Sequence, residues 1–125
     1  MAGETNIAGW FEIPVHDLDR ARLFYESVLN VELSVNDFER IKMAFFPMAS
    51  NAYGASGALV KGESHAPSHR GILIYLSVED IEDTLDRVES NGGRTLMPKT
   101  SVGDYGFIAH FQDSEGNRLG LHSMK

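Results

Sequence analysis

The chain repeats itself. Shifting the sequence by 78 − 15 = 63 positions lays Val15 on Val78, Asp17 on Asp80, Leu18 on Ile81, Glu26 on Glu89, Ser27 on Ser90 and Leu33 on Leu96. One register thus aligns a strand end, a helix cap, a helix body and the strand that follows. That is the signature of a duplicated supersecondary unit. Each copy must be read as the same succession of elements, which restricts the folds open to the chain.

In the first copy, Trp10–Val15 is an apolar run closed by the turn-prone pair His16–Asp17. Pro14 lacks an N–H to donate, so this strand belongs at an edge or ends there. The Asp17 carboxylate can accept from free amides of a first helical turn. Leu18, Ala21, Phe24, Tyr25, Val28 and Leu29 follow at helical spacing, and Asn30 suits the helix end. Val31–Val35, Ile41–Phe46 and Gly57–Val60 read as short strands, with Pro47–Ser56 as a loop.

Residues 61–70 are polar with Gly and Pro and read as a linker. The pattern then restarts. Gly71–Val78 has the β-branched and aromatic content of a buried strand. Asp80, or Ser77, can cap a helix carrying Ile81, Leu85 and Val88, and Asn91-Gly92-Gly93 can end it. Arg94–Met97, Gly106–Phe111 and Arg118–His122 complete the strands. Asp113-Ser-Glu-Gly116-Asn117 is a tight hairpin connection, with Gly116 suited to positive φ. The expected fold is α+β, one domain of two tandem βαβββ modules (about 9–60 and 71–122). Two curved mixed sheets would each be covered by a helix on one face and leave the other to line a cleft.

Composition narrows the function classes. The chain has 125 residues, a length suited to one domain, and no cysteine, which removes disulfides, thiolate metal sites and a cysteine nucleophile. Eighteen acidic residues against 11 basic give a net charge of −7, with no basic stripe for nucleic acid. Residues 1–9 lack the character of a signal peptide, and no apolar run approaches the roughly 20 residues of a membrane helix. These features predict a cytoplasmic protein with neither nucleic-acid nor membrane partners.

Two motifs carry a resemblance. Trp10 to Leu29 (WFEIPVHDLDRARLFYESVL) resembles the opening module of the vicinal-oxygen-chelate superfamily of glyoxalases, bleomycin-resistance proteins and ring-cleaving dioxygenases. Asp113 to His122 (DSEGNRLGLH) resembles that superfamily's closing hairpin. The similarity runs from about Gly9 to His122. It implies a small-molecule ligand and a homodimer with clefts at or near the interface.

The resemblance also implies four metal-ligand positions, and here they carry the wrong residues. The first falls on Trp10, its repeat mate on Leu73, the last on Gly120, and the remaining one on the strand around Gly57–Leu59. Glyoxalase I chemistry needs a Lewis-acid metal and a carboxylate to move the proton. No metal cofactor is therefore expected. A displaced divalent-ion site of Glu12, His110 and His122 stays open on donor chemistry alone.

Strand alternation turns Glu12 to the same face as Trp10, Tyr75 to that of Leu73, and His122 to that of Gly120. His110 falls where fosfomycin-resistance relatives carry a substrate-contacting tyrosine, and Lys99 near their phosphate-contacting lysine. Glu12, His110 and His122 are thus the candidate catalytic residues, an acid/base set in which burial would raise the Glu pKa and the carboxylate that of His. Trp10, Phe46, Tyr75, Lys99 and Tyr105 are the candidate ligand contacts. Against these stand plainer roles: a salt-bridged Glu12, a hydrogen-bonded structural His110 and an exposed, near-terminal His122. His65 and His69 flank Pro67, which excludes a helical pair, and read as surface residues. Phe24 and Tyr25 lie on the helix stripe and belong to the core. Two functions follow: a lyase- or isomerase-like enzyme, or a module that sequesters an aromatic or cationic small molecule.

Overall fold

A computed structural model describes residues 6–125. The duplication is realised as two modules with the same strand order. The first contains β1 (Phe11–Pro14), α1 (Leu18–Leu29), β2 (Ser34–Asp37), β3 (Lys42–Phe45) and β4 (Gly57–Lys61). The second contains β5 (Tyr75–Ser77), α2 (Ile81–Ser90), β6 (Arg94–Ser101), a 3-10 turn at Gly103–Tyr105, β7 (Phe107–Gln112) and β8 (Arg118–Ser123). Sheet one runs β1-β4-β3-β2 and sheet two β5-β8-β7-β6, with β1 parallel to β4 and β5 parallel to β8. Pro14 sits, as its missing donor requires, on the edge strand β1.

The helix starts are built identically. Asp17 and Asp80 are both extended, and each Oδ1 accepts the amide three residues on, from Arg20 and Asp83 at 3.0 Å. The repeated glutamates also do the same work. Glu26 Oε2 accepts the amide of Leu33 (2.9 Å) and Glu89 Oε2 that of Thr95 (2.6 Å), tying each helix to the chain that follows it. The helix ends differ. Asn30 adopts the left-handed conformation (φ 55°), whereas in module two that duty passes from Asn91 to Gly92 (φ 97°).

One core joins both modules. Ile13, Val15, Leu59 and Ala44 from sheet one, and Leu76, Leu121, Ala109 and Phe111 from sheet two, pack with both helices. Tyr25 is wholly buried, with Phe24 edge-on at 5.0 Å and Phe46 at 5.7 Å. Burying a side chain of this size stabilises the fold by roughly 2 kcal/mol.

The hairpin Asp113–Asn117 clamps module two onto module one. Tyr25 Oη donates to Asp113 Oδ2 (2.6 Å), while Asp113 Oδ1 accepts the amides of Glu115 and Asn117. Asn117 Nδ2 donates to Pro14 O (2.7 Å). Glu115 accepts the amides of His16 and Asp17 and is gripped by Arg20 (Nε to Oε2, 2.7 Å). Burial alone would raise the Glu115 carboxyl. The Arg20 bond, the Asp17 amide, the Ser114 hydroxyl and the His16 amide outweigh it and hold the pKa at about 2.

Three strand expectations need correction. Val31–Val35 is displaced to Ser34–Asp37, all exposed, because Leu33 is drawn into the core and β2 is an edge strand. Gly71–Val78 contracts to Tyr75–Ser77. β5 has a single neighbour and Ile72 is 89% exposed, so only part of this apolar run joins the core, through Leu76 with Ile74 and Val78 against it, while Leu73–Val78 also borders a cleft. Arg94–Met97 lengthens to Ser101 through register shifts against β7.

Candidate functional site

Each sheet keeps one face free of its helix, and the registers state what lies there. Ile13, Leu59 and Ala44 form a row on the helix side of sheet one. The neighbouring row, Glu12, Ala58, Phe45 and Ser34, therefore faces the other way. In sheet two, Leu76, Leu121 and Ala109 are core, so Tyr75, Gly120, His110 and Met97 form the matching open row. The next open row holds Ser77, His122, Ile108 and Thr100. Glu12 in sheet one thus occupies the place of Tyr75 in sheet two, and Phe45 that of His110.

The open face of sheet one carries an aromatic pair and an acid. Trp10 and Phe45 lie with ring centroids 5.9 Å apart. Glu12 Oε2 accepts a long bond from Trp10 Nε1 (3.4 Å), and Glu12 Oε1 lies 3.1 Å from His65 Nε2. Its side chain is 39% exposed, so the expected burial is not present. The partner histidine comes from the linker, which folds back through a Gly62–His65 bridge. His65, read from the sequence as a surface residue, is the imidazole that meets Glu12.

The open face of sheet two carries a connected polar chain. Tyr75 Oη lies 2.8 Å from His110 Nε2, and His110 Nδ1 lies 2.6 Å from Arg118 Nη2. His110 is buried (7% exposed), and burial followed by the Arg118 cation pushes its imidazole below the ordinary range. The upward shift expected from a neighbouring carboxylate is replaced by the opposite. The Tyr75 ring lies against Gly120, where an added Cβ would come within 2.3 Å of it. The ring thus fills the room that a side chain at this position would need. His122 Nε2 lies 2.6 Å from the carbonyl of Tyr105. A carbonyl can only accept, so Nε2 carries the hydrogen and neutral His122 keeps Nδ1 as an acceptor.

The candidate residues therefore divide into separate groups. Among the described residues no hydrogen bond joins Glu12 to His110 or His122, and no three His, Asp or Glu side chains cluster in a way that could hold a metal. With Trp10, Leu73 and Gly120 at three of the implied ligand positions, the donors present do not fit a metal bound in the superfamily's manner. Phe46 belongs to the opposite face from Trp10. It is 6% exposed, with Phe11 at 5.7 Å and Tyr25 beneath, and Phe45 is the aromatic beside Trp10. Lys99 turns its ammonium over the Phe107 ring (4.6 Å), on the core side of sheet two, away from His110. Tyr105 offers its carbonyl to His122 while its side chain is 79% exposed.

A cleft of about 1110 Å³ opens between the modules. Trp10, Phe46 and Tyr53 line it from module one, and Tyr75, Asp80 and Arg87 from module two. Tyr75 thus belongs both to this cleft and to the polar chain. Two participants escaped the sequence reading. Phe45, the neighbour of Phe46 at the end of β3 and the ring beside Trp10, was not singled out. Arg118 was legible from the hairpin: pairing Gln112 with Arg118 and His110 with Gly120 makes Arg118 the diagonal neighbour of His110.

Comparison with known proteins agrees with this architecture. A Didymella fabae glyoxylase-like domain-containing protein is 29% identical over 110 residues, which cover 85% of this chain and 84% of that one. The fold superposes on a glyoxalase I mutant from Zea mays with a TM-score of 0.70, at 20% identity. That match covers 93% of this chain and 45% of the maize chain, so this chain spans about half the maize protein's length. A genomically encoded fosfomycin resistance protein from Listeria monocytogenes also superposes with a TM-score of 0.70, at 18% identity, covering 95% of this chain and 91% of that one. The Glyoxalase/Bleomycin resistance protein/Dioxygenase superfamily model matches residues 7–121. Duplicated modules, parallel edge strands and open sheet faces are thus accounted for together: the chain belongs to the glyoxalase/bleomycin resistance protein/dioxygenase superfamily.

Proposed function

We propose that this protein binds a small oxygenated or aromatic molecule and performs proton transfer of the lyase or isomerase type on the open face of sheet two. The observation that carries this reading is the 2.8 Å contact between Tyr75 Oη and His110 Nε2 on a face free of helix packing. A phenol and an imidazole in hydrogen-bond contact form a unit able to deliver a proton. His122 lies in the adjacent row with Nδ1 available as an acceptor, so one face offers both a donor and a base. Trp10 serves as a ligand contact from sheet one, and Glu12, held by His65, lies outside the acid/base centre.

A homodimer is part of this reading. Trp10, Tyr75 and Phe38 are 41%, 42% and 52% exposed, apolar surface that a second copy of the chain would cover. A cytoplasmic setting also belongs to it. Among the described residues no helix is long and apolar enough to cross a membrane.

A test begins with a thermal-shift screen of small carbonyl, carboxylate and aromatic compounds, followed by turnover assays on those that bind. Tyr75→Phe and His122→Ala should each reduce turnover by about 100-fold or more, in the range of lost general acid/base catalysis. Unchanged turnover in both variants would remove the proposal. A second reading, sequestration without chemistry, is favoured by the cleft. Its aromatic wall and the Glu79 carboxylate suit a cationic aromatic guest. It predicts tight binding of such a guest without turnover, and loss of binding in a Trp10/Tyr75 double alanine variant.

A further inference from the structure

Both ring nitrogens of His110 are engaged, and the chemistry of the partners decides where its proton sits. Arg118 Nη2 is 2.6 Å from Nδ1. A guanidinium offers only N–H donors and remains charged throughout the accessible pH range. Nδ1 must therefore accept. A neutral imidazole has one donor and one acceptor, so its hydrogen is on Nε2 and points at Tyr75 Oη. The phenol oxygen accepts that bond, and its own O–H is released to point elsewhere.

We infer that Arg118 is a positioning residue that locks His110 in the Nε2–H tautomer, making the Tyr75 hydroxyl a dedicated hydrogen-bond and proton donor to a carbonyl or carboxylate oxygen of the ligand. This deepens the proton-transfer reading above and rests on it for the identity of the site as a ligand site. In the other tautomer His110 Nε2 would be the acceptor, and the Tyr75 hydrogen would be spent inside the protein.

Four further observations support the lock. Among the described residues, the ion pairs engage Arg20, Arg22, Arg87 and His65, so no carboxylate draws Arg118 away from His110. The groups bonded to His110 are the Tyr75 phenol and the Arg118 guanidinium, with Gly120 and Met97 beside it in its row. Burial and the Arg118 cation both oppose a second proton on the ring, so the imidazole stays neutral and its tautomer is defined. Finally, Tyr75 reaches this position only because Gly120 has no side chain. Arg118 and Gly120, two residues apart on β8, thus act on one phenol, the first through His110 and the second by leaving room for the ring.

The step balances simply. As negative charge grows on the ligand oxygen, the Tyr75 O–H bond breaks and its proton passes to that oxygen. The phenolate left behind keeps accepting the His110 Nε2–H bond, with the Arg118 charge behind the ring. His110 neither gains nor loses a proton, and solvent returns one to Tyr75 after the product leaves.

The test needs no ligand. Imidazole nitrogens of the ¹⁵N-labelled full chain are recorded by long-range proton–nitrogen correlation at neutral pH, with His110 assigned from its absence in His110→Gln. The expected result is a single tautomer, Nε2 protonated and Nδ1 unprotonated. Arg118→Met, which keeps the aliphatic stem and removes the donors, should move both nitrogens toward averaged shifts while the amide spectrum elsewhere stays native. A wild-type His110 that is Nδ1-protonated or averaged would overturn the inference even if no variant folded. So would an Arg118→Met spectrum with the wild-type pattern. Either failure leaves the proton-transfer reading standing, because that reading is tested separately by turnover of Tyr75→Phe.

Discussion

The two modules have kept the parts that make them fold and diverged in the parts that face outward. Asp17 and Asp80 cap their helices with the same bond, and Glu26 and Glu89 tie each helix to the following strand. Their open faces share little. Sheet one presents Trp10, Phe45 and a Glu12 engaged by the linker's His65. Sheet two presents Tyr75, His110 and Arg118 in one hydrogen-bonded chain. Caps, strand order and helix packing are constrained by folding in both copies. The outward rows bear no such constraint, so only one of them needs to carry chemistry.

The connections between the third and fourth strands of each module differ as well. In module one, Phe46–Ser56 is long and contributes to the cleft. In module two, Asp113–Asn117 is short and forms the buried clamp between modules. The sharpest way to break this contrast is Asp113→Ala. It leaves the Tyr25 hydroxyl, two amides and Asn117 without their buried acceptor, and should cost about 3–5 kcal/mol in urea unfolding. A loss below about 1 kcal/mol would show that the hairpin is no clamp.

Glu115 gives the same clamp a pH signature. Its folded pKa is depressed from 4.5 to about 2, so its contribution is complete above the unfolded value and fades as pH falls through that window. The contribution is about 3 kcal/mol at neutral pH. Glu115→Gln should be less stable by about that amount at pH 7 and lose less stability between pH 4.5 and 2 than the wild type. Parallel acid-denaturation curves for the two proteins would contradict this assignment.

Two smaller effects compare the sheets directly. Gly120 and Ala58 hold corresponding places beside Tyr75 and Glu12. Gly120→Ala should cost roughly 1–3 kcal/mol by forcing the Tyr75 ring off the strand, and should shift the His110 ring resonances. Ala58→Gly relieves no contact of that kind and should leave the Trp10 fluorescence unchanged. The helix caps should behave alike: Asp17→Ala and Asp80→Ala should each cost about 1 kcal/mol in urea unfolding. A difference much beyond that between them would mean that the duplicated frame is not equivalent.

Much of this frame was legible in the sequence. The offset of 63 located both helices, both caps and the succession of elements, because apolar spacing and capping chemistry are local signals. Parity also separated Glu12, Tyr75 and His122 from the core-facing rows, and of these Tyr75 lines the cleft. What sequence could not supply was distance between rows in different sheets. Glu12 and His110 share a parity, yet one lies in sheet one and the other in sheet two, and each finds its partner locally. Phe46 lines the cleft, but from the core side of its strand, the face opposite to that of Phe45. His65 was misread because a linker's polarity does not reveal where it folds back.

The central claim is that the open face of sheet two, rather than that of sheet one, holds the working groups. The most direct measurement is a binding isotherm for the best carbonyl or carboxylate compound from the thermal-shift screen, against wild type, Tyr75→Phe and Glu12→Gln. Loss of one hydrogen bond to a charged or polarised ligand oxygen is worth about 1.5 kcal/mol or more, or roughly tenfold in Kd. Tyr75→Phe should show at least that loss and Glu12→Gln a change under about threefold. The reverse order, with Glu12→Gln abolishing binding and Tyr75→Phe leaving it intact, would place the site on sheet one and contradict the account.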